Sequence, residues 1–277
     1  MIDPFQALVA QIALAAASEQ GFALAGANAL VAHGLLTRPT EDVDLFSPEP
    51  GGPGRVFEAV RDALLNEGFT VQVTRAPAEN AGEFAQLHVS RASRTTQVDL
   101  GRDWRAHKAV VLDIGPVLHL DDAVASKVTA LLGRGLARDY IDVAAALDDD
   151  RYPRRRLLQL AFERDPGLRV LDVALAAQRL DQLPDSRFVR YKLDPDQVRN
   201  VRARFSDWPR DSGADQSAQA AHDATHRTEP SPAQRAAAAY PVPLDQALGQ
   251  AGPAPPSTPS APPPDPQLRN GHSRHRR

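Results

Sequence analysis

The chain has 277 residues, 24% of them charged, and a formal net charge of −3, so no overall basic or acidic bias points to a partner. That length supports one large domain or two small ones with a proper core. Cysteine is absent, which excludes a disulfide scaffold, a thiolate zinc site and a cysteine nucleophile, and no apolar run is long enough to span a bilayer, so no membrane partner is expected.

In chain order, a helix is predicted over Asp3–Glu19, where Phe5, Leu8, Val9 and Ile12 recur at helical spacing. Its acidic Asp3 stands where a secretory signal would carry basic residues, and a cytoplasmic protein is expected. A strand at Phe22–Ala25, a turn at Gly26 and a helix at Asn28–His33 lead to a second strand, Asp42-Val43-Asp44-Leu45-Phe46. Pro53–Glu67 reads as a helix stopped by Gly68. Period-two segments follow at Phe69–Arg75, Phe84–Val89 and Thr95–Leu100, and a fourth at Ala109–Ile114 ends at Gly115-Pro116. The expectation is an α+β fold in which residues 1–115 form a small mixed β-sheet core flanked by helices. Helical spacing then runs through His119–Leu132, Ala137–Leu147, Arg154–Phe162, Leu168–Leu180 and Pro195–Phe205, an all-helical lobe over 116–208. Residues 209–277 are rich in Pro and Ala and too poor in apolar residues to offset the entropy of ordering, so a disordered tail is expected.

The chemistry concentrates in three carboxylates. Alternate strand residues share a face, so Asp42 and Asp44 point one way while Val43 and Leu45 point the other. Asp99, in Gln97-Val98-Asp99-Leu100, has the same phase. If these strands are neighbours, the three carboxylates converge, a geometry suited to Mg²⁺ ions held together with substrate phosphates in a two-metal phosphoryl or nucleotidyl transfer. Asp99 could also take the proton of an attacking hydroxyl. The plain alternative is a solvated strand end with acidic residues and an edge-strand Asp99.

A site acting on a nucleoside triphosphate (NTP) also needs cations placed at the phosphates. Lys127 and Arg134 lie two turns apart on one helical stripe, and Arg38 stands just upstream of the acidic strand; solvent exposure is the plain alternative for each. Arg138 and Asp142 stand at i and i+4, which reads as an intrahelical ion pair. From Arg151 to Arg210 basic residues outnumber acidic ones, with Arg154, Arg155 and Arg156 in succession. This is either a surface for a polyanion or a solvated arginine-rich helix face.

Taken together, GANALVAHGLLTRPTEDVDLF, a later VDL, and SKVTALLGRGLARDYIDV resemble the AbiEii/AbiGii-type nucleotidyltransferase toxins of the DNA polymerase beta-like nucleotidyltransferase superfamily. The resemblance covers roughly residues 20–147. It implies that Asp42, Asp44 and Asp99 hold metal, that Lys127 contacts the triphosphate, and that Asp139 and Asp142 form an accessory acidic motif orienting Lys127 or the incoming base. Gly26 would let backbone approach a phosphate. The family pattern has Gly or Ser where this chain has Ala27, so a hydroxyl contact to phosphate is missing, and Asn28 is the nearest substitute. The implied activity is transfer of NMP from an NTP to an acceptor, with the tRNA 3′ end or another RNA as acceptor and a cognate antitoxin as partner. The alternatives are transfer to a small molecule or protein hydroxyl, and a non-catalytic nucleotide-binding module.

Overall fold

The computed structural model describes residues 1–210, together with Ala220 and His222. These residues lie within one compact unit, Met1–Glu229. The disorder expected beyond Arg210 concerns residues outside the described ones.

Helix α1 (Pro4–Ala16) begins where Asp3 accepts hydrogen bonds from the backbone N–H of Phe5 at 2.9 Å and Gln6 at 3.2 Å, with Pro4 in the first turn. Its buried side runs through Phe5, Val9, Ala13 and Leu14, whereas Leu8 is 36% exposed. Strand β1 (Ala23–Leu24) leads through Gly26 into the short helix α2 (Gly26–Ala32). Then come β2 (Asp42–Ser47), α3 (Gly52–Asn66), β3 (Thr70–Arg75), β4 (Phe84–Arg91) and β5 (Arg94–Arg102). The predicted strand at Ala109–Ile114 is instead the first arm of a hairpin, β6 (Val110–Leu112) and β7 (Gly115–Val117). Gly115, at φ 115°, allows the reversal, and Pro116 follows it at the start of β7.

The strands form one mixed sheet in the order β3-β4-β5-β2-β1-β7-β6, in which β2 runs parallel to β5 and β1 parallel to β7. Val43, Leu45, Ala85, Leu87, Val89, Val98 and Leu100 make its fully buried side, packed beneath α1 and α3. Removing such aliphatic side chains from water contributes about 1.5–3 kcal/mol each. The alternate residues stay partly open, with the pattern intermediate–buried repeating through β2. This phase fixes the side on which the carboxylates emerge, because a one-residue slip would bury them.

The helical part comprises α4 (Leu120–Gly133), α5 (Ala137–Leu147), α6 (Arg154–Arg164), α7 (Val170–Gln182), the single turn α8 (Ser186–Val189) and α9 (Pro195–Ala203). Sequence periodicity missed α8, which is too short to show a period. Tyr140, Phe205 and Trp208 are buried together here, with Tyr140 edge-on to Phe205 at 5.4 Å. No helix among the described residues is long and apolar enough to cross a membrane.

Candidate active site

Strands β2 and β5 pair in register, with Asp42 beside Gln97 and Asp44 beside Asp99. Asp42, Asp44 and Asp99 therefore line one cavity of about 310 Å³. Neither the Asp42 nor the Asp44 carboxylate accepts a hydrogen bond from any described residue. Asp99 differs: Gln86 and Gln97 both donate to its Oδ1 at 3.0 Å, leaving Oδ2 without a protein donor.

Electrostatics follow from this crowding. Burial, then the negative charge of Asp42, pushes the Asp44 carboxyl up to about 7; Asp99 raises it further, while Lys127 and Arg138 oppose the shift. Burial and Asp42 also raise Asp99, against the two amide hydrogen bonds. Oxygen-only donors, two carboxylates lacking any protein donor, and mutual repulsion together fit a hard divalent cation such as Mg²⁺.

The turn before α2 closes the floor. Gly26 has φ 59°, and a Cβ there would lie 1.8 Å from Asp44 Oδ2, so only glycine lets the backbone pass beneath this carboxylate. Ala27 lines the cavity without a hydroxyl, while Ser126 on α4 brings one to the same lining.

Asn28 does not take that role. Its amide donates to the Asp42 backbone carbonyl at 2.8 Å and to Gln6 at 3.4 Å, and its oxygen accepts from Thr40 at 2.9 Å. The carboxamide is thus fully engaged in a buried network that anchors the start of β2, outside the cavity lining.

Four cations line the cavity: Arg38, Lys127, Arg134 and Arg138. Three are held by buried carboxylates behind it. Asp142, 0% exposed, accepts from Arg38 at 2.7 and 2.9 Å and pairs with Lys127 at 3.0 Å. Asp139, also 0% exposed, accepts from Arg134 at 2.9 and 3.0 Å and caps α5 through the Leu136 N–H at 3.0 Å. Neither acidic residue lines the cavity; each positions cations that do. The expected Arg138–Asp142 pair is absent because Asp142 is already taken by the two other cations. Arg138 is left half-buried, with no hydrogen bond or ion pair to any described residue. Sequence spacing had hidden it behind Asp142. Tyr191 also lines the cavity, with the Arg38 guanidinium 5.5 Å from its ring centre, and nothing in the sequence pointed to it.

The arginine excess of the helical part is largely taken up by ion pairs. Arg156 binds Asp121 at 2.8 Å, Arg202 binds Asp185 at 2.7 Å and Arg210 binds Asp181 at 3.0 Å, while Arg164 pairs with Asp103 and Arg204 with Asp148. A separate His107–His119–Asp121 cluster has potential ligand atoms within 4.8 Å of one another. Its groups already have partners: His119 accepts the Asp121 N–H at 3.2 Å, and the two Asp121 oxygens accept from Tyr152 at 2.7 Å and Arg156 at 2.8 Å.

Comparison with known proteins bears on the fold and the family. MenT4, a nucleotidyltransferase toxin of Mycobacterium tuberculosis H37Rv, superposes with a TM-score of 0.53 at 20% identity, over 82% of this chain and 93% of that one. JHP933 from Helicobacter pylori gives a TM-score of 0.48 at 14% identity, over 82% and 96% of the two chains. No curated protein matches the sequence. The family model described as nucleotidyl transferase AbiEii toxin, type IV toxin–antitoxin system, matches residues 7–239, and the chain belongs to this nucleotidyltransferase toxin family.

Proposed function

We propose that the protein is a Mg²⁺-dependent nucleotidyltransferase that moves NMP from an NTP to the 3′ end of tRNA, acting as the toxin of a pair with a cognate antitoxin. One observation carries this reading: Asp42, Asp44 and Asp99 share a cavity with Lys127, Arg134 and the unpaired Arg138. Asp42, Asp44 and Asp99 would hold the divalent ions, which when bound neutralise phosphate charge and favour the attacking and leaving oxygens.

The chain's own residues do the rest. Asp99 Oδ2, which has no donor among the described residues, would accept the proton of the acceptor hydroxyl. The acceptor oxygen then bonds to the α-phosphorus as the bond to the bridging oxygen breaks, and diphosphate leaves. Lys127 and Arg134, fixed by Asp142 and Asp139, provide preorganised charge along the phosphates. Arg138 has no hydrogen bond or ion pair among the described residues to give up before engaging the anion.

Incubating the protein with each labelled NTP and total tRNA tests this. Transfer by wild type and its loss in Asp42→Ala are expected; equal transfer by Asp42→Ala, or none by wild type with any nucleotide, would sink the reading.

A further inference from the structure

The partly open side of the sheet continues from the cavity across β5 and β4. Along one cross-strand row Arg75 pairs with Gln86, Gln86 with Asp99, and Asp99 with Asp44. In the next row Phe84 pairs with Gly101, and Gly101 with Phe46. Gly101 is the key to this second row. A Cβ on it would lie 2.9 Å from two Phe46 ring atoms and 3.7 Å from the Phe84 ring, so the two rings close over a gap that any side chain would fill. Both rings remain half-buried, whereas Leu45, Ala85 and Leu100 on the opposite side are fully buried. The Arg75 guanidinium lies 5.4 Å from the Phe84 ring centre, is exposed, and forms no hydrogen bond or ion pair among the described residues, its charge reaching Asp99 only from a distance.

Aromatic rings on a partly open polar sheet, flanked by an exposed arginine, form a stacking platform for bases with a cation for the backbone. This one adjoins the reaction centre. Two residues along a strand span about 7 Å, which separates the aromatic row from Asp99 and is comparable to the reach from a nucleobase to its own ribose hydroxyl. Topology sets the far end of the platform away from the triphosphate cations. Lys127 comes from α4, which follows β7 beyond β1, whereas Phe46 stands at the edge of the cavity lining and Phe84 lies on β4 beyond β5, outside it. The arginines of the helical part, mostly paired, offer little free charge for this task.

We propose that the Phe46–Phe84 platform over Gly101, with Arg75 at its edge, docks the 3′-terminal nucleotide of a single-stranded RNA acceptor and presents its hydroxyl to Asp99 Oδ2. This rests on the nucleotidyl-transfer reading above. The test is anisotropy of a fluorescent, short single-stranded oligoribonucleotide with a free 3′ hydroxyl, titrated with wild type, Phe84→Ala, Phe84→Trp and Gly101→Ala. Loss of one stacking partner weakens binding about tenfold or more, so Phe84→Ala should do so, and Phe84→Trp should retain binding. Gly101→Ala should weaken it with both rings still present, because the new methyl displaces Phe46. Binding of a fluorescent NTP analogue to each variant checks that the fold and nucleotide site persist. Equal oligonucleotide affinity for wild type and Phe84→Ala, no binding by wild type, or a loss confined to the NTP analogue would each overturn the proposal. Because this readout is equilibrium binding, failure of tRNA labelling with intact, Phe84-dependent oligonucleotide binding would count against the transfer reading and not against the platform.

Discussion

At the residue scale, neither the Asp44 carboxylate nor the Arg138 guanidinium has a hydrogen bond or ion pair among the described residues, although Arg138 and Lys127 act on Asp44 through their charge. Asp44 titrates near 7 in the fold against 3.8 ordinarily, so the folded protein holds a proton that the unfolded chain has released between those pH values. This group therefore adds stability as pH falls from about 7 towards 4, and above about 7 its full charge opposes folding. Asp44→Asn removes that penalty: metal-free protein should gain on the order of 4 kcal/mol at pH 8 and almost nothing at pH 4, read by thermal unfolding at both. A variant that is less stable than wild type at pH 8 would contradict the electrostatic account. Arg138 makes the opposite case. Because it has no hydrogen bond or ion pair among the described residues and acts on Asp44 only as the last of the causes of its shift, Arg138→Gln should change stability by less than about 0.5 kcal/mol. The same change should raise the KM for NTP about tenfold, a cation-to-phosphate contact being worth roughly 1.5–3 kcal/mol. Steady-state kinetics beside a melting curve separates the two.

At the scale of elements, the site depends on which strand and helix meet. The phase of Val43–Leu45 against Val98–Leu100 made the common face of three carboxylates legible in the sequence, because alternation is a local property. That β2 and β5 are adjacent and parallel was not legible, since α3, β3 and β4 intervene between them. The same limit explains Asp142. Its helical neighbour Arg138 stands four residues away, yet its partners are Arg38, 104 residues distant, and Lys127 on α4. Asn28 likewise read as a phosphate ligand by position, whereas the buried acceptors around it claim its amide. Asp142 thus joins α4, α5 and the segment before β2 through two cations. Asp142→Ala leaves both cations buried and unpaired and should cost about 3–5 kcal/mol, measured by denaturant unfolding, with transfer lost as well. A cost below about 1 kcal/mol would mean that these charges are hydrated and the clamp is ornamental.

At the scale of the molecule, the sheet supplies carboxylates and the helical part supplies three of the four cations, Arg38 coming from the segment before β2, and the cavity lies where they meet. The α+β class and the order of helices and strands were readable from periodicity and turn residues. The arginine-rich stretch was misleading as a sum of charge, because carboxylates such as Asp121, Asp181 and Asp185 neutralise it one pair at a time. The central claim is that this meeting of charges performs nucleotidyl transfer, and following both ends of the triphosphate in one reaction tests it most directly. With tRNA as acceptor and NTP labelled in parallel at the α- or the γ-phosphorus, the α label should enter the RNA while the γ label leaves as diphosphate. Label from the γ-phosphorus in the acceptor, or α label that never leaves the free nucleotide, would contradict it.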